Sequence, residues 1–206
     1  IPNGNVCELN TSHQVDRRRA IREKFSISAE TTVFLKVASF IPGKNHHELL
    51  RIIQKVNKPF ELWLVGTGPT ENACKKDAAK LNIKGVTRFL GQIPELSDLY
   101  FGSDVALLTS REESMPNFIV ESQTAGLPVI AYDCAGVSET FIPDESGFLV
   151  GAGDQNLFQQ KIEILHENIQ LRKSMGARGR IWALEKFDPI ERLKDYMQII
   201  SRIVNK

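Results

Sequence analysis

The 206-residue chain lacks most of the features that would tie it to a membrane, a metal or a nucleic acid. No apolar run reaches the length of a bilayer span and no segment is patterned as a signal peptide, so neither a spanning nor a secreted reading is supported. Its three cysteines, Cys7, Cys74 and Cys134, are odd in number and widely spaced. That argues against a disulfide framework and for reduced thiols in a cytoplasmic protein. Neither sign of charge dominates: 26 Lys and Arg face 25 Asp and Glu, a net charge of +1 that disfavours nucleic acid as a partner. No Asp-x-Asp pair is present to hold a divalent ion, and His13, His46, His47 and His166 show no ligand spacing, so no metal site is expected. A Gly-x-Ser-x-Gly elbow, repeats and low-complexity linkers are also missing, which disfavours a serine hydrolase and leaves one domain.

What is present is an alternation of strand and helix patterns. A hydrophobic content of 42% and a charged content of 25% are those of an ordinary globular domain of this size. Apolar runs at 32–40, 61–65, 86–90, 105–108, 129–132 and 148–150 predict strands, and most are apolar throughout, as parallel strands covered on both faces are. Helical periodicity lies between them at 45–56, 70–81, 95–101 and 118–125, and beyond Gly153 at 155–165, 169–186 and 189–204. The fold class is therefore α/β: a single Rossmann-like, doubly wound, mainly parallel sheet of about six strands with additional C-terminal helices. A basic helix is predicted over 16–25, where Arg17, Arg18 and Arg19 beside Asp16 and Glu23 read as a solvated face. In the last helix Ile190, Leu193, Met197, Ile200 and Val204 form an apolar stripe, expected to pack on the sheet. The opening Ile1-Pro2-Asn3-Gly4-Asn5 is a turn sequence without an initiator Met and reads as the continuation of a longer chain.

In such a sheet the loops at the carboxyl ends of the strands carry the chemistry. The most informative is Glu113-Ser114-Met115-Pro116-Asn117-Phe118-Ile119-Val120-Glu121. Asn117 is the expected N-cap of the following helix, which leaves the amides of Phe118, Ile119 and Val120 as free donors suited to a phosphate. Glu113 precedes that anion site and Glu121 lies about one turn beyond it. A ligand with hydroxyls on both sides of a phosphate fits, as a nucleotide-sugar would. Acids near a helix start also favour the macrodipole without any ligand, and spacing alone does not separate the two readings. In the first loop Gly43 permits a tight approach and Lys44 can set its ammonium over a diphosphate, or be an ordinary surface lysine. Gly66-Thr67-Gly68-Pro69 imitates a dinucleotide fingerprint, but it follows the second strand and Glu71 stands at the third glycine, so NAD is not expected. Ile93 in Gly91-Gln92-Ile93-Pro94 can edge a base. Cys134-Ala135-Gly136-Val137-Ser138-Glu139 reads as a glycine turn entering a short helix with Glu139 facing solvent, and residues 144–147 as a plain turn.

Taken in order, these segments resemble the C-terminal, donor-binding half of a GT-B glycosyltransferase of family 4, the group 1 transferases. Residues 37–45 (VASFIPGKN), 64–69 (LVGTGP), 88–91 (RFLG) and above all 113–131 (ESMPNFIVESQTAGLPVIA) carry the likeness, which runs over nearly the whole chain. Ile1-Pro2-Asn3-Gly4 is similar to the segment leading out of the acceptor domain. The resemblance implies a retaining, metal-independent transfer of a hexose from UDP or GDP to a glycan or lipid-linked acceptor. By it, Glu113 is the catalytic-site acid facing the reacting carbon and Glu121 holds the ribose. Ser39, Gly43, Lys44, Pro116, Asn117, Phe118 and Ile119 lie around the diphosphate, and Ile93 borders the base. No cofactor beyond the donor is implied. The implied partners are the donor and an N-terminal acceptor domain, and the implied place is the cytoplasm or the inner face of the membrane. Two departures stand out: Ser39 replaces an Arg common in the family, and Ser114 a common Gly. A nucleotide-sugar-binding module without catalysis is the alternative, and an epimerase would need histidine and carboxylate chemistry that is not found.

Overall fold

In a computed structural model, residues 13–57 and 59–204 are described. The opening turn and Cys7 lie outside them.

Six parallel strands form one sheet in the order β3-β2-β1-β4-β5-β6. They are β1 (Thr32–Val37), β2 (Phe60–Val65), β3 (Thr87–Gly91), β4 (Val105–Leu108), β5 (Val129–Asp133) and β6 (Gly147–Gly151). The helices are α1 (Gln14–Lys24), α2 (His46–Ile53), α3 (Glu71–Lys80), α4 (Ser97–Gly102), α5 (Asn117–Thr124), α6 (Gln155–Glu167), α7 (Ile169–Lys186) and α8 (Pro189–Val204). The doubly wound sheet expected from the sequence is thus present, and strand order reverses between β1 and β4, where Phe34 stands beside Val105.

Alternate residues of each strand feed opposite layers. Phe34, Leu62, Leu64, Val105, Leu107 and Ile130 meet Leu49, Ile53, Ala78, Phe158 and Ile162 from α2, α3 and α6. Val33, Leu35, Trp63, Ala106, Leu108 and Val129 meet Ile21, Leu99, Tyr100, Phe118 and Ile119 from α1, α4 and α5. Most of these side chains are fully buried, each contributing about 1.5–3 kcal/mol relative to exposure. Asp154 and Asn168 cap α6 and α7 by accepting from the amides of Leu157 and Leu171, both at 2.9 Å.

Several boundaries and contacts differ from expectation. The strand predicted over 32–40 ends at Val37, because the chain then peels off, with Phe40 N still donating to Thr67 O but Ile41 N turned back to Ser39 O. The segment after Cys134 forms successive turns rather than a helix. The basic run of α1 is not a solvated face. Arg17 bonds Asp98 at 2.6 Å, and Arg18 reaches Asp104 at 2.7 Å and the carbonyls of Phe101 and Ser103, so only Arg19 pairs locally, with Asp16. The stripe of α8 does not pack on the sheet: Ile190, Leu193, Met197 and Ile200 are more than half exposed. Both faces are already filled by other helices, with α7 lying against α5. Among the described residues no helix is long and apolar enough to cross a membrane.

Candidate functional site

The loops leaving β1 and β4 meet at the reversal of strand order. Lys44 closes a 3-10 turn, Pro42–Lys44, and its Nζ donates to Glu113 Oε1 at 2.7 Å. The two side chains are 25% and 11% exposed, so the pair is accessible from one side only. The loops are also joined through the backbone, Arg111 N donating to Gly43 O at 2.9 Å. Residue types explain the local shape. Pro42 fixes φ at the start of the turn, and Asn45, a residue that tolerates the left-handed region, takes φ 54° to launch α2. Gly43 has ordinary φ and open space around it, so the left-handed position expected of a loop glycine is filled by Asn45 instead.

Lys44, Glu113, Asn117 and Phe118, with Met115, Pro116, Leu108, Val37 and Ala38, line a hollow of about 230 Å³. A neighbouring hollow of about 390 Å³ shares Val37 and Ala38 and extends past Ser39, Gly66, Thr67 and Gln92 to Ile93 and Leu96. Together they make a cleft along the carboxyl ends of β1, β2 and β4, one compartment holding the Lys44–Glu113 pair among apolar side chains, the other bordered by Ile93 and Leu96.

Helix α5 enters this cleft with its first turn. Pro116, in extended conformation, is the cap residue, and Asn117 is the first helical residue with no side-chain cap bond, so the capping role expected of Asn117 is not fulfilled. The amide of Ile119 is spent on Pro116 O at 2.9 Å, whereas those of Asn117 and Phe118 have no partner among the described residues. The free amides are therefore those of Asn117 and Phe118, where Phe118, Ile119 and Val120 were expected. Glu121 lines neither hollow; its carboxylate instead accepts from the buried Tyr100 hydroxyl at 2.5 Å. Burial raises the Glu121 carboxyl above the ordinary carboxylate value, and the Tyr100 hydroxyl opposes that rise.

Residues missed by the sequence reading stand behind the cleft. Gly136, at φ 76°, lets its turn run so close to the Glu113 loop that a Cβ there would lie 1.6 Å from Ser114 O. Glu48, buried at the start of α2, accepts from Asn45 Nδ2 at 2.8 Å and from the Tyr132 hydroxyl at 2.5 Å. Thr109 Oγ1 donates to Asn45 O at 3.1 Å and accepts from Lys36 Nζ at 3.0 Å. His46, almost fully buried, stacks on Phe40 with ring centroids 4.1 Å apart, and neither ring nitrogen has a partner. Burial, followed by the nearby Lys36 charge, pushes its pKa down to about 2 and keeps it neutral. The available signal was a charge inside an apolar segment: Lys36 in TVFLKV and Glu48 in HHELLRII.

Comparison with known proteins gives a consistent result. Residues 17–182 match the family model described as glycosyl transferases group 1. A lipopolysaccharide core biosynthesis glycosyltransferase of Rhizobium meliloti, LpsE, is 26% identical over 180 residues, 87% of this chain and 53% of that protein. The amylovoran biosynthesis glycosyltransferase AmsD of Erwinia amylovora is 30% identical over 143 residues, 69% of this chain and 40% of that protein. The chain spans about half the length of the curated relatives it matches. Anabaena HepE, solved with UDP and glucose, superposes with a TM-score of 0.85 at 21% identity over 91% of this chain and 52% of that one. The lipopolysaccharide glycosyltransferase WaaG gives 0.80 at 20% identity, over 89% and 51%. At these identities the structural likeness establishes the fold.

Proposed function

The chain belongs to the group 1 glycosyltransferase family, and on that footing we propose that it is the donor-binding half of a retaining transferase. It takes a hexose from UDP or GDP and passes it to a glycan or lipid-linked acceptor held by a preceding domain. The observation that carries this reading is the meeting of Lys44, Glu113 and the free amides of Asn117 and Phe118 at the strand-order reversal. A diphosphate entering the compartment of the Lys44–Glu113 pair meets one ammonium and two free amides, the groups that stabilise charge on a departing diphosphate. In moving to the phosphate, Lys44 releases Glu113 to bind hydroxyls of the sugar beside the reacting carbon. The charge is supplied by side chain and backbone, so the proposal requires neither metal nor cofactor. Ile93 and Leu96 border the base, and Glu121 serves the ribose once its carboxylate leaves Tyr100. Retention does not require Glu113 to be a nucleophile, since the leaving diphosphate can itself accept the acceptor's proton. The UDP bound by HepE, and the parts of LpsE in lipopolysaccharide core biosynthesis and of AmsD in amylovoran biosynthesis, support donor and acceptor of these classes.

Calorimetric titration of the chain with UDP, GDP and ADP tests the reading. We expect one nucleotide to bind and Lys44→Ala to weaken it by about 10-fold or more, as a charge-assisted phosphate contact does. If Lys44→Ala leaves the affinity unchanged, the diphosphate lies elsewhere. Ser39, exposed where the family commonly has Arg, favours a second reading: a binding module without catalysis. Turnover by the full-length protein that is lost in Glu113→Ala decides for the enzyme. Tight binding without turnover decides for the module.

A further inference from the structure

The lysine that faces the cleft is already engaged, for Lys44 and Glu113 at 2.7 Å form a neutral pair. The diphosphate of a nucleotide-sugar carries two negative charges, so one ammonium shared with a carboxylate leaves it under-compensated. Beneath the pair lies a second lysine that no carboxylate contacts. Lys36, on β1, is completely buried, and its hydrogen-bond partner is Thr109 Oγ1 at 3.0 Å. Thr109 is itself fully buried and passes the contact to Asn45 O, the residue next to Lys44. An ammonium with three donors and one hydroxyl acceptor, set in an apolar layer, is costly, and an apolar residue of similar volume would be more stable there. The charged and titratable groups around it come from the cleft and from the helices packed on β1. Glu113 and Lys44 come from the two loops, Cys74 from α3, Glu48 and the neutral His46 from α2.

We propose that Lys36 is a positioning residue of the diphosphate site, supplying from below its floor the positive charge that the Lys44–Glu113 pair does not leave free. This rests on the donor-site reading above. A charge in this dry layer acts on the cleft more strongly than one in water at equal distance. Desolvation holds the Lys36 ammonium down to about 7 in the free protein, with Glu113 opposing the shift. A bound dianion favours the charged form, so binding draws a proton from solvent onto Lys36 Nζ. Below about pH 7 the lysine is already charged and little proton is taken up. As pH rises above that value, uptake grows and affinity falls, because the proton must be supplied from a more dilute source.

The test is titration calorimetry of the chain with UDP-glucose, GDP-mannose and ADP-glucose, whose diphosphate diesters do not titrate in this range. Measurements in two buffers of different ionisation enthalpy, between about pH 6 and 9, give the protons exchanged. For the ligand that binds, the wild type takes up a fraction of a proton above pH 7. Lys36→Met binds it about tenfold more weakly at pH 7, exchanges no proton and melts at higher temperature than the wild type. Thr109→Val, which removes the hydroxyl partner and disfavours the charged form, moves the uptake window to lower pH and serves if Lys36→Met does not fold. Binding by Lys36→Met as tight as wild type, or uptake that persists in it, overturns the assignment while leaving the donor site standing. Binding of none of the three ligands by the wild type overturns both.

Discussion

Strands β1 and β4 lie side by side and carry buried charge at both ends, but the two ends are finished differently. At the amino end the Arg22 guanidinium reaches Asp104 Oδ2 at 3.2 Å and the carbonyls of Gly102, Ser28 and Thr31 at 3.1, 2.7 and 2.6 Å. Asp104 also accepts from Val33 N at 2.8 Å and from Arg18 at 2.7 Å. Burial lowers the Arg22 pKa and Asp104 opposes that fall, so the charged form is held by its partners. At the carboxyl end Lys36 has a hydroxyl for a partner, His46 and the Ser110 hydroxyl have none among the described residues, and the amides of Asn117 and Phe118, residues that line the cleft, are free there. The first cluster is complete in itself and locks α1 and α4 to the sheet. The second is incomplete, and in the proposed reading the donor diphosphate completes it. Unpartnered buried atoms also occur towards the amino end, Thr87 Oγ1 and Gln123 Oε1, so what sets the carboxyl end apart is a buried ammonium without a carboxylate contact together with two free helix amides.

The largest effect should come from breaking the finished end. Asp104→Ala leaves the buried Arg22 without a counter-charge beside the partly exposed Arg18, at a cost of about 3–5 kcal/mol in urea unfolding, set by Arg22. Nucleotide affinity of the chain that remains folded should not change, because the cluster stands at the opposite edge of the sheet. Should affinity fall in step with stability, the two ends are not independent and the comparison fails.

At the unfinished end, Gly136→Ala asks how finely the loops are set. A Cβ at 1.6 Å from Ser114 O, on a backbone at φ 76°, forces the turn away from the Glu113 loop. The strain itself costs about 1–3 kcal/mol in thermal unfolding. Turnover by the full-length protein should fall by more than that loss of stability accounts for, since Glu113 moves with its loop. Equal losses would mean that Gly136 serves the fold alone.

How much of this could be read from the sequence follows the same division. Strand and helix alternation was legible because most strands are largely apolar runs, a pattern dictated by burial on both faces, and β2, β3 and β6 also end at or against a Gly. That Lys44 and the Glu113 segment share one edge of the sheet was legible because both follow carboxyl ends of strands that this topology makes neighbours; their ion pair was not foreseen. Partners far apart in sequence were not. Arg17, Arg18 and Arg22 find their acids about 80 residues away, so a local view took the run for a solvated face. Glu121 was placed by its spacing from Glu113, but its hydroxyl partner comes from α4, outside the segment altogether. Asn117 has the chemistry of a cap, yet Pro116 occupies that position because its extended backbone leads straight into the helix. Lys36 carried a usable signal, a charge within TVFLKV, but only the packed sheet shows that it is fully buried.

The smallest effect tests a carboxylate that belongs to neither pattern. Glu121 is part-buried with a raised carboxyl, and the Tyr100 hydroxyl that donates to it favours the ionised form. Because its folded value lies above the ordinary one, its contribution to stability is fully present below the unfolded carboxylate value and is lost as pH rises through the folded one. Tyr100→Phe takes away the donor, so the folded value rises further and the loss of stability extends to higher pH, by about 1 kcal/mol at neutrality. Urea unfolding between about pH 4 and 7, with the Glu121 carboxyl followed by carbon NMR, checks both. A titration unchanged in Tyr100→Phe would show that burial alone sets Glu121, and the hydroxyl would then be a packing contact. A raised titration that returns to the ordinary range when UDP is added would mean that the carboxylate leaves its buried position for the ribose. That result would join Glu121 to the unfinished end of the sheet.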